Sequence, residues 1–154
     1  MEFIAGQPLD ELIPAGKLTV DETLRMAAQM VDALCETHRV GIAHRDLKPA
    51  NICITNRGQV KILDFGLANK LEQNPAGDDA TLLQDQTRVG QILGTPNYMS
   101  PEQALARPVD HRSDLFSIGV ILYKLVTQQQ PFADDSVSAV INHIINDSPA
   151  EPSR

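Results

Sequence analysis

Apolar and polar positions alternate along this chain with two different periods. From Leu9 to Ile13 apolar residues sit at helical spacing, and Pro14 and Gly16 stop the run after about one turn. Thr19-x-x-Glu22 then reads as a capping box that opens a long helix. Along it Val20, Leu24, Ala27, Val31, Leu34 and His38 recur at steps of three and four, with Met30 and Ala33 widening the stripe, which predicts a helix buried on a broad face. Gly41 stands where its C-terminal turn is expected, and His38 reads as a cap or surface residue. The period shortens at Ile52-Cys53-Ile54 and Val60-Lys61-Ile62-Leu63, two strands around the turn signal Asn56-Arg57-Gly58. From Leu67 to Leu93 no period survives, and Asn74–Asp79 is turn-rich and acidic, so a long loop is expected.

Beyond that loop, Leu115, Ile118, Val120, Ile121, Leu122 and Leu125 make a helix that is apolar nearly all round, as a central core helix should be. A last helix over about 136–145 carries Val137, Val140, Ile141, Ile144 and Ile145 at helical spacing. The fold class is therefore mainly α with a small β-hairpin (α+β). The length of 154 residues, 42 % of them hydrophobic, suits one core. With four Phe, two Tyr and no Trp, that core must be built from Leu, Ile, Val, Ala and Met. The net charge of -7 argues against nucleic acid or an anionic membrane as partner. Cys35 and Cys53 lack metal-ligand spacing and point to a reducing, cytoplasmic setting. No run reaches the ~18 apolar residues of a membrane span.

The chemistry concentrates between His44 and Gly66. His44-Arg45-Asp46-Leu47-Lys48-Pro49-Ala50-Asn51 precedes the first strand, and Asp64-Phe65-Gly66 follows the second. Pairing of the strands brings Asn51 and Asp64 together although 13 residues separate them. An acid that reaches a hydroxyl proton (Asp46), a cation beside a migrating phosphoryl group (Lys48), and an amide and a carboxylate oxygen for a divalent ion (Asn51, Asp64) form a set suited to Mg²⁺ and a polyphosphate.

His-Arg-Asp-Leu-x-x-x-Asn followed by Asp-Phe-Gly resembles the catalytic and metal loops of protein kinases, and Asp-Leu-Lys-Pro-x-Asn resembles their serine/threonine branch. Ser100-Pro101-Glu102-Gln103-Ala104 is similar to bacterial-type members. The resemblance implies a protein-kinase-like C-terminal lobe, truncated, with residues 1–8 as the interlobe linker, 9–154 as the lobe and 64–102 as the activation segment. It implies ATP and Mg²⁺ as cofactors and a protein Ser/Thr hydroxyl as acceptor. Asp46, Lys48, Asn51 and Thr95 would serve catalysis, with Thr95 tying the substrate-docking loop of 94–102 to the catalytic loop. Glu2, Ile4, Lys48, Asn51, Cys53 and Asp64 would hold the nucleotide, and Asn51 and Asp64 the metal. The Glu2 carbonyl and Ile4 amide would meet the adenine edge, and Cys53, alternating inward, its floor.

The same resemblance makes His44 structural, stacked near Phe65, and lets Asp114 bond the backbone of the catalytic loop. Arg45 would partner a phosphothreonine, with Thr87 preferred over Thr81. Gln128 stands where the family more often has Gly, which puts the turn geometry after the central helix in question. The 154 residues contain no Gly-x-Gly-x-x-Gly. The N-lobe in a longer chain, and the last helices of the lobe, are therefore expected partners of this segment, with Glu102 left without the arginine that pairs it in the family. An isolated chain of this kind should have little activity. The alternative is a catalytically dead kinase-like fragment that works as a binding or adaptor module.

Overall fold

A computed structural model describes residues 5–16, 18–65 and 96–152. The chain enters through strand β1 (Gly6–Pro8), which passes into helix α1 (Leu9–Leu12) and a 3₁₀ turn (Ile13–Ala15). Gly16, at φ 59°, closes that turn in the left-handed region. The long helix α2 (Val20–Arg39) starts at the expected capping box. Thr19 Oγ1 accepts from the Glu22 N–H at 3.2 Å, and Glu22 Oε2 accepts from the Thr19 N–H at 2.8 Å. It ends in a Schellman motif: the Gly41 N–H reaches the His38 carbonyl at 3.0 Å and the Ile42 N–H reaches that of Thr37 at 2.9 Å, with Gly41 at φ 79°.

The face that α2 buries overlaps the predicted one only in part. Thr23, Met26, Met30 and Leu34 are buried, whereas Val20, Leu24 (62 % exposed) and Val31 face out. At 3.6 residues per turn the centre of the buried face is turned roughly 80° from the line of Val20, Leu24 and Val31, and of the expected broad face it keeps Met30 and Leu34. Both stripes have helical spacing, so spacing alone could not choose between them. The choice falls to the partners: the α2 face packs on Ile118, Ile121 and Leu125 of the later helix α4 (Arg112–Thr127), and on Ile52 and Val60 of the sheet.

Strands β2 (Ile52–Thr55) and β3 (Val60–Ile62) form the expected hairpin, with Ile52 opposite Ile62 and Ile54 opposite Val60. The sheet has a third strand, because β1 pairs antiparallel with β2 from Gly6↔Thr55 to Pro8↔Cys53. The end of the stretch expected as the linker, Gly6–Pro8, thus forms a sheet edge. The alternation of β2 sends Ile52 to the main core, with Ile54 packed against it. Cys53 is buried on the opposite face of the strand. Gly6 makes this possible: a Cβ there would lie 2.7 Å from the Cys53 sulfur and 2.5 Å from the Ile54 carbonyl oxygen. Gln29 of α2 fastens the turn end of the hairpin, accepting from the Val60 N–H at 2.9 Å and donating to the Gly58 carbonyl at 3.3 Å.

After a short helix α3 (Pro101–Ala104), α4 runs between two cores. Ile118, Ile121 and Leu125 face α2, and Val120 faces Phe132 together with Val140 and Ile144 of helix α5 (Val137–Asn146). Each fully buried aliphatic side chain of this kind contributes about 1.5–3 kcal/mol. The helix is central but not closed on every side, since Leu115 is 48 % exposed and Gly119 is open. Gln128 ends α4 at φ 61°, so the left-handed turn usual for glycine is kept by a residue that bears a Cβ. No described helix is long and apolar enough to cross a membrane.

Candidate active site

The loop from Ile42 to Lys48 has little regular structure, and its shape is imposed from α4. Asp114, in the first turn of that helix, is 1 % exposed. Its Oδ2 accepts from the His44 N–H and its Oδ1 from the Arg45 N–H, each at 2.8 Å. His38 also meets Asp114 Oδ2 at 2.8 Å, so it is neither a cap nor a surface residue but the third group around this carboxylate. Arg45 adopts φ 66°, a conformation that a non-glycine residue keeps only when its surroundings hold it. Its carbonyl is held as well, by Gln103 Nε2 at 2.5 Å.

His44 is buried and stands edge-on to Phe65 with ring centroids 4.9 Å apart. The Asp46 N–H donates to His44 Nδ1 at 3.3 Å, which leaves Nε2 to carry the hydrogen that reaches the Leu63 carbonyl at 2.7 Å. His44 therefore joins the loop to the end of β3 and has no nitrogen left for proton transfer.

Asp46 is exposed, and its carboxylate meets Lys48 Nζ at 2.8 Å. Asn51 Nδ2 donates to the Asp46 carbonyl at 2.8 Å and approaches Oδ2 at 3.4 Å. These bonds occupy the amide nitrogen, and no described residue donates to Asn51 Oδ1. The Leu63 N–H bonds the Asn51 carbonyl at 2.8 Å, which continues the β2–β3 ladder and puts Asp64 one residue past it, at φ 60° and exposed. Asp46, Lys48 and Asn51 are thus joined directly, and Asp64 is held beside them by the sheet. Among the described residues no group of three or more His, Cys, Asp or Glu is arranged to hold a metal ion. The oxygens of Asn51 and Asp64 are two hard donors, one of them charged. That set fits Mg²⁺, which keeps several waters and phosphate oxygens of its own.

Ser100 and Gln103 form a second capping box at α3, so Gln103 both caps this helix and grips the Arg45 carbonyl. Glu102 was expected to lack its arginine; instead it accepts a short hydrogen bond from the Ser113 hydroxyl. Burial works to raise its carboxyl, but hydrogen bonds from Ser113, its own backbone and Ser100 outweigh burial, and the group lies below its ordinary range. Asp110 is held down to about 2 by hydrogen bonds from the side chain and backbone N–H of Arg112. Glu2, Ile4, Thr81, Thr87 and Thr95 lie outside the described residues. Sequence reasoning missed His38 and Gln103 as supports of the loop. The one signal for His38 was its place at the end of a helical stripe.

Residues 1–152 match the protein kinase domain family model, and the chain belongs to the protein kinase family, on its serine/threonine side. It is 43 % identical to a probable serine/threonine-protein kinase of Streptomyces coelicolor, over 99 % of this chain and 22 % of that protein. It is 41 % identical to a serine/threonine-protein kinase of Myxococcus xanthus, over 100 % of this chain and 28 % of the relative. With the kinase PknA of Mycobacterium tuberculosis the identity is 38 %, over 99 % of this chain and 33 % of the relative. The chain spans between a fifth and a third of the length of these relatives.

Proposed function

We propose that these residues are the C-terminal lobe of a protein serine/threonine kinase and carry the acceptor and metal side of phosphoryl transfer from ATP. The observation that carries the reading is the direct linkage of Asp46, Lys48 and Asn51, with Asp64 held beside them by the β2–β3 ladder. Asp46 orients the acceptor Ser/Thr hydroxyl and takes its proton late, since a loose transition state leaves most of the charge change on the nucleophile until bond formation. Lys48 leaves Asp46 for the transferring phosphoryl group and offsets its charge. Asn51 Oδ1 and the Asp64 carboxylate would hold Mg²⁺, which would offset the negative charge that develops on the transferring phosphate. Cys53 lies under the nucleotide base, and Thr95 joins the docking loop to Asp46 and Lys48. Residues 64–102 are the activation segment, with Thr87 as its phosphosite. A strand lysine and a glycine-rich cover for the phosphates belong to a further lobe in a longer protein, so the 154 residues alone turn over slowly.

Thermal shift with Mg²⁺-ATP, run beside Asp64→Ala, tests the reading. The expected result is a rise in Tm for the parent that the variant loses. Equal shifts in both proteins, or none in either, would overturn it.

A further inference from the structure

A cavity of about 170 Å³ opens beside Lys48, lined by Asp10, Lys48, Pro49, Ala50 and Tyr98. Its charges are unequal in what they leave free. Lys48 is matched by Asp46 at 2.8 Å. Asp10, exposed in the first turn of α1, receives no hydrogen bond or ion pair from any described residue. The net charge open to a visitor is therefore negative. Pro49 and Ala50 supply short apolar walls. Tyr98 is fixed in place, since its hydroxyl oxygen meets Gln130 Nε2 at 3.0 Å and Lys124 Nζ at 3.4 Å.

We propose that this cavity takes a basic side chain, arginine above lysine, from the protein substrate, and that Asp10 is the residue that selects it. The inference rests on the proposed phosphotransfer role of Asp46 and Lys48. Arginine fits each wall: its methylenes lie along Pro49 and Ala50, its flat guanidinium stacks on the Tyr98 ring, and its charge ends at Asp10. A glutamate in the same place would meet Asp10 with like charge. Because Lys48 borders both the cavity and Asp46, the basic residue lies within a few positions of the acceptor hydroxyl, given a chain advance of about 3.3–3.6 Å per residue.

The test is peptide binding by the 154-residue chain, read by fluorescence anisotropy with Mg²⁺-ATP present. The probes are labelled peptides with one central Ser, an alanine background and a single Arg or Glu walked through the flanking positions. Because the chain carries net charge -7, every Arg peptide gains some affinity wherever the Arg stands. The proposal requires an added preference of about two- to five-fold at one position, the range of an exposed ion pair. Asp10→Asn should remove that added preference, and Asp10→Lys should turn it towards Glu at the same position. Both substitutions are on an exposed side chain and leave the fold intact. An Arg preference that is equal at all positions, one that survives Asp10→Asn, or no peptide binding overturns the proposal. The Mg²⁺-ATP thermal shift of the same samples separates this failure from that of the kinase reading: a normal shift without Asp10-dependent selection rejects the pocket alone.

Discussion

Replacing Asp114 by alanine should be among the most costly single changes in the molecule. The carboxylate is 1 % exposed and stands within 2.8 Å of the His44 N–H, the Arg45 N–H and His38 Nε2. Alanine would leave both backbone N–H groups without their acceptor, at about 1–3 kcal/mol each. His38 would lose its carboxylate too, and Arg45 would lose a grip on its left-handed backbone. The sum is about 3–5 kcal/mol, against a total of about 5–15 kcal/mol for a typical domain. Urea unfolding reads it directly: with a slope of about 1–3 kcal/mol/M the midpoint should fall by more than about 1 M. Asp114→Asn keeps one acceptor oxygen and should lose about half as much, which supplies a folded comparison if the alanine variant melts below room temperature. Native-state hydrogen exchange adds a local reading, since the His44 and Arg45 amides should lose protection ahead of those in α2. An alanine variant within about 0.5 kcal/mol of the parent, with both amides still protected, would refute the claim that α4 shapes the loop of residues 42–48 through this side chain.

Met30→Ala should cost about 2–5 kcal/mol because Met30 is fully buried, whereas Leu24→Ala should stay within about 0.5 kcal/mol; equal losses in urea melts would mean the buried face of α2 is misplaced. Gln128→Gly should stabilise by about 0.5–1 kcal/mol by removing a Cβ from φ 61°, and an unchanged or lower urea midpoint would show that its side chain matters more. His143 is raised by its hydrogen bonds to Asp147 and then Asp134. A folded pKa above the unfolded value of about 6.5 gives stability that is fully present below that pH and lost as pH rises through the folded value. Tm scans from pH 5.5 to 8.5, chosen on that basis, should therefore show a decline in the parent that His143→Gln lacks. Superimposable pH profiles would remove His143 from the account.

Where a local signal had only one structural solution, the sequence was readable. The Thr19–Glu22 box, the Gly41 turn and the β2–β3 register each follow from a few neighbouring residues, and each forms as their chemistry requires. Where two solutions shared one local pattern, the outcome depended on distant partners. The α2 stripe of Val20, Leu24 and Val31 is as periodic as that of Met26, Met30 and Leu34. Only the latter faces Ile118, Ile121 and Leu125, more than eighty residues further on. The burial of Cys53 depends in the same way on Gly6, which allows β1 to close over the sulfur.

The candidate site divides along the same line. The groups proposed to do chemistry lie in one short stretch and are legible from it, because Asp46, Lys48 and Asn51 are bonded to one another within six residues. The groups that hold them in place come from α2, α3 and α4: His38, Gln103 and Asp114. Of these only Asp114 was foreseen, and by resemblance. An amide such as Gln103 has no sequence signal for its second role, since the Ser100 capping box accounts for it completely. Yet Gln103 Nε2 and Asp114 Oδ1 grip the carbonyl and the N–H of the same residue, Arg45, immediately before the exposed Asp46. A strained backbone fixed at both ends leaves the next side chain few directions in which to point. The orientation of Asp46 is therefore set by α3 and α4 together, and a change around α3 that moved Gln103 would reach the proposed base through a single peptide unit.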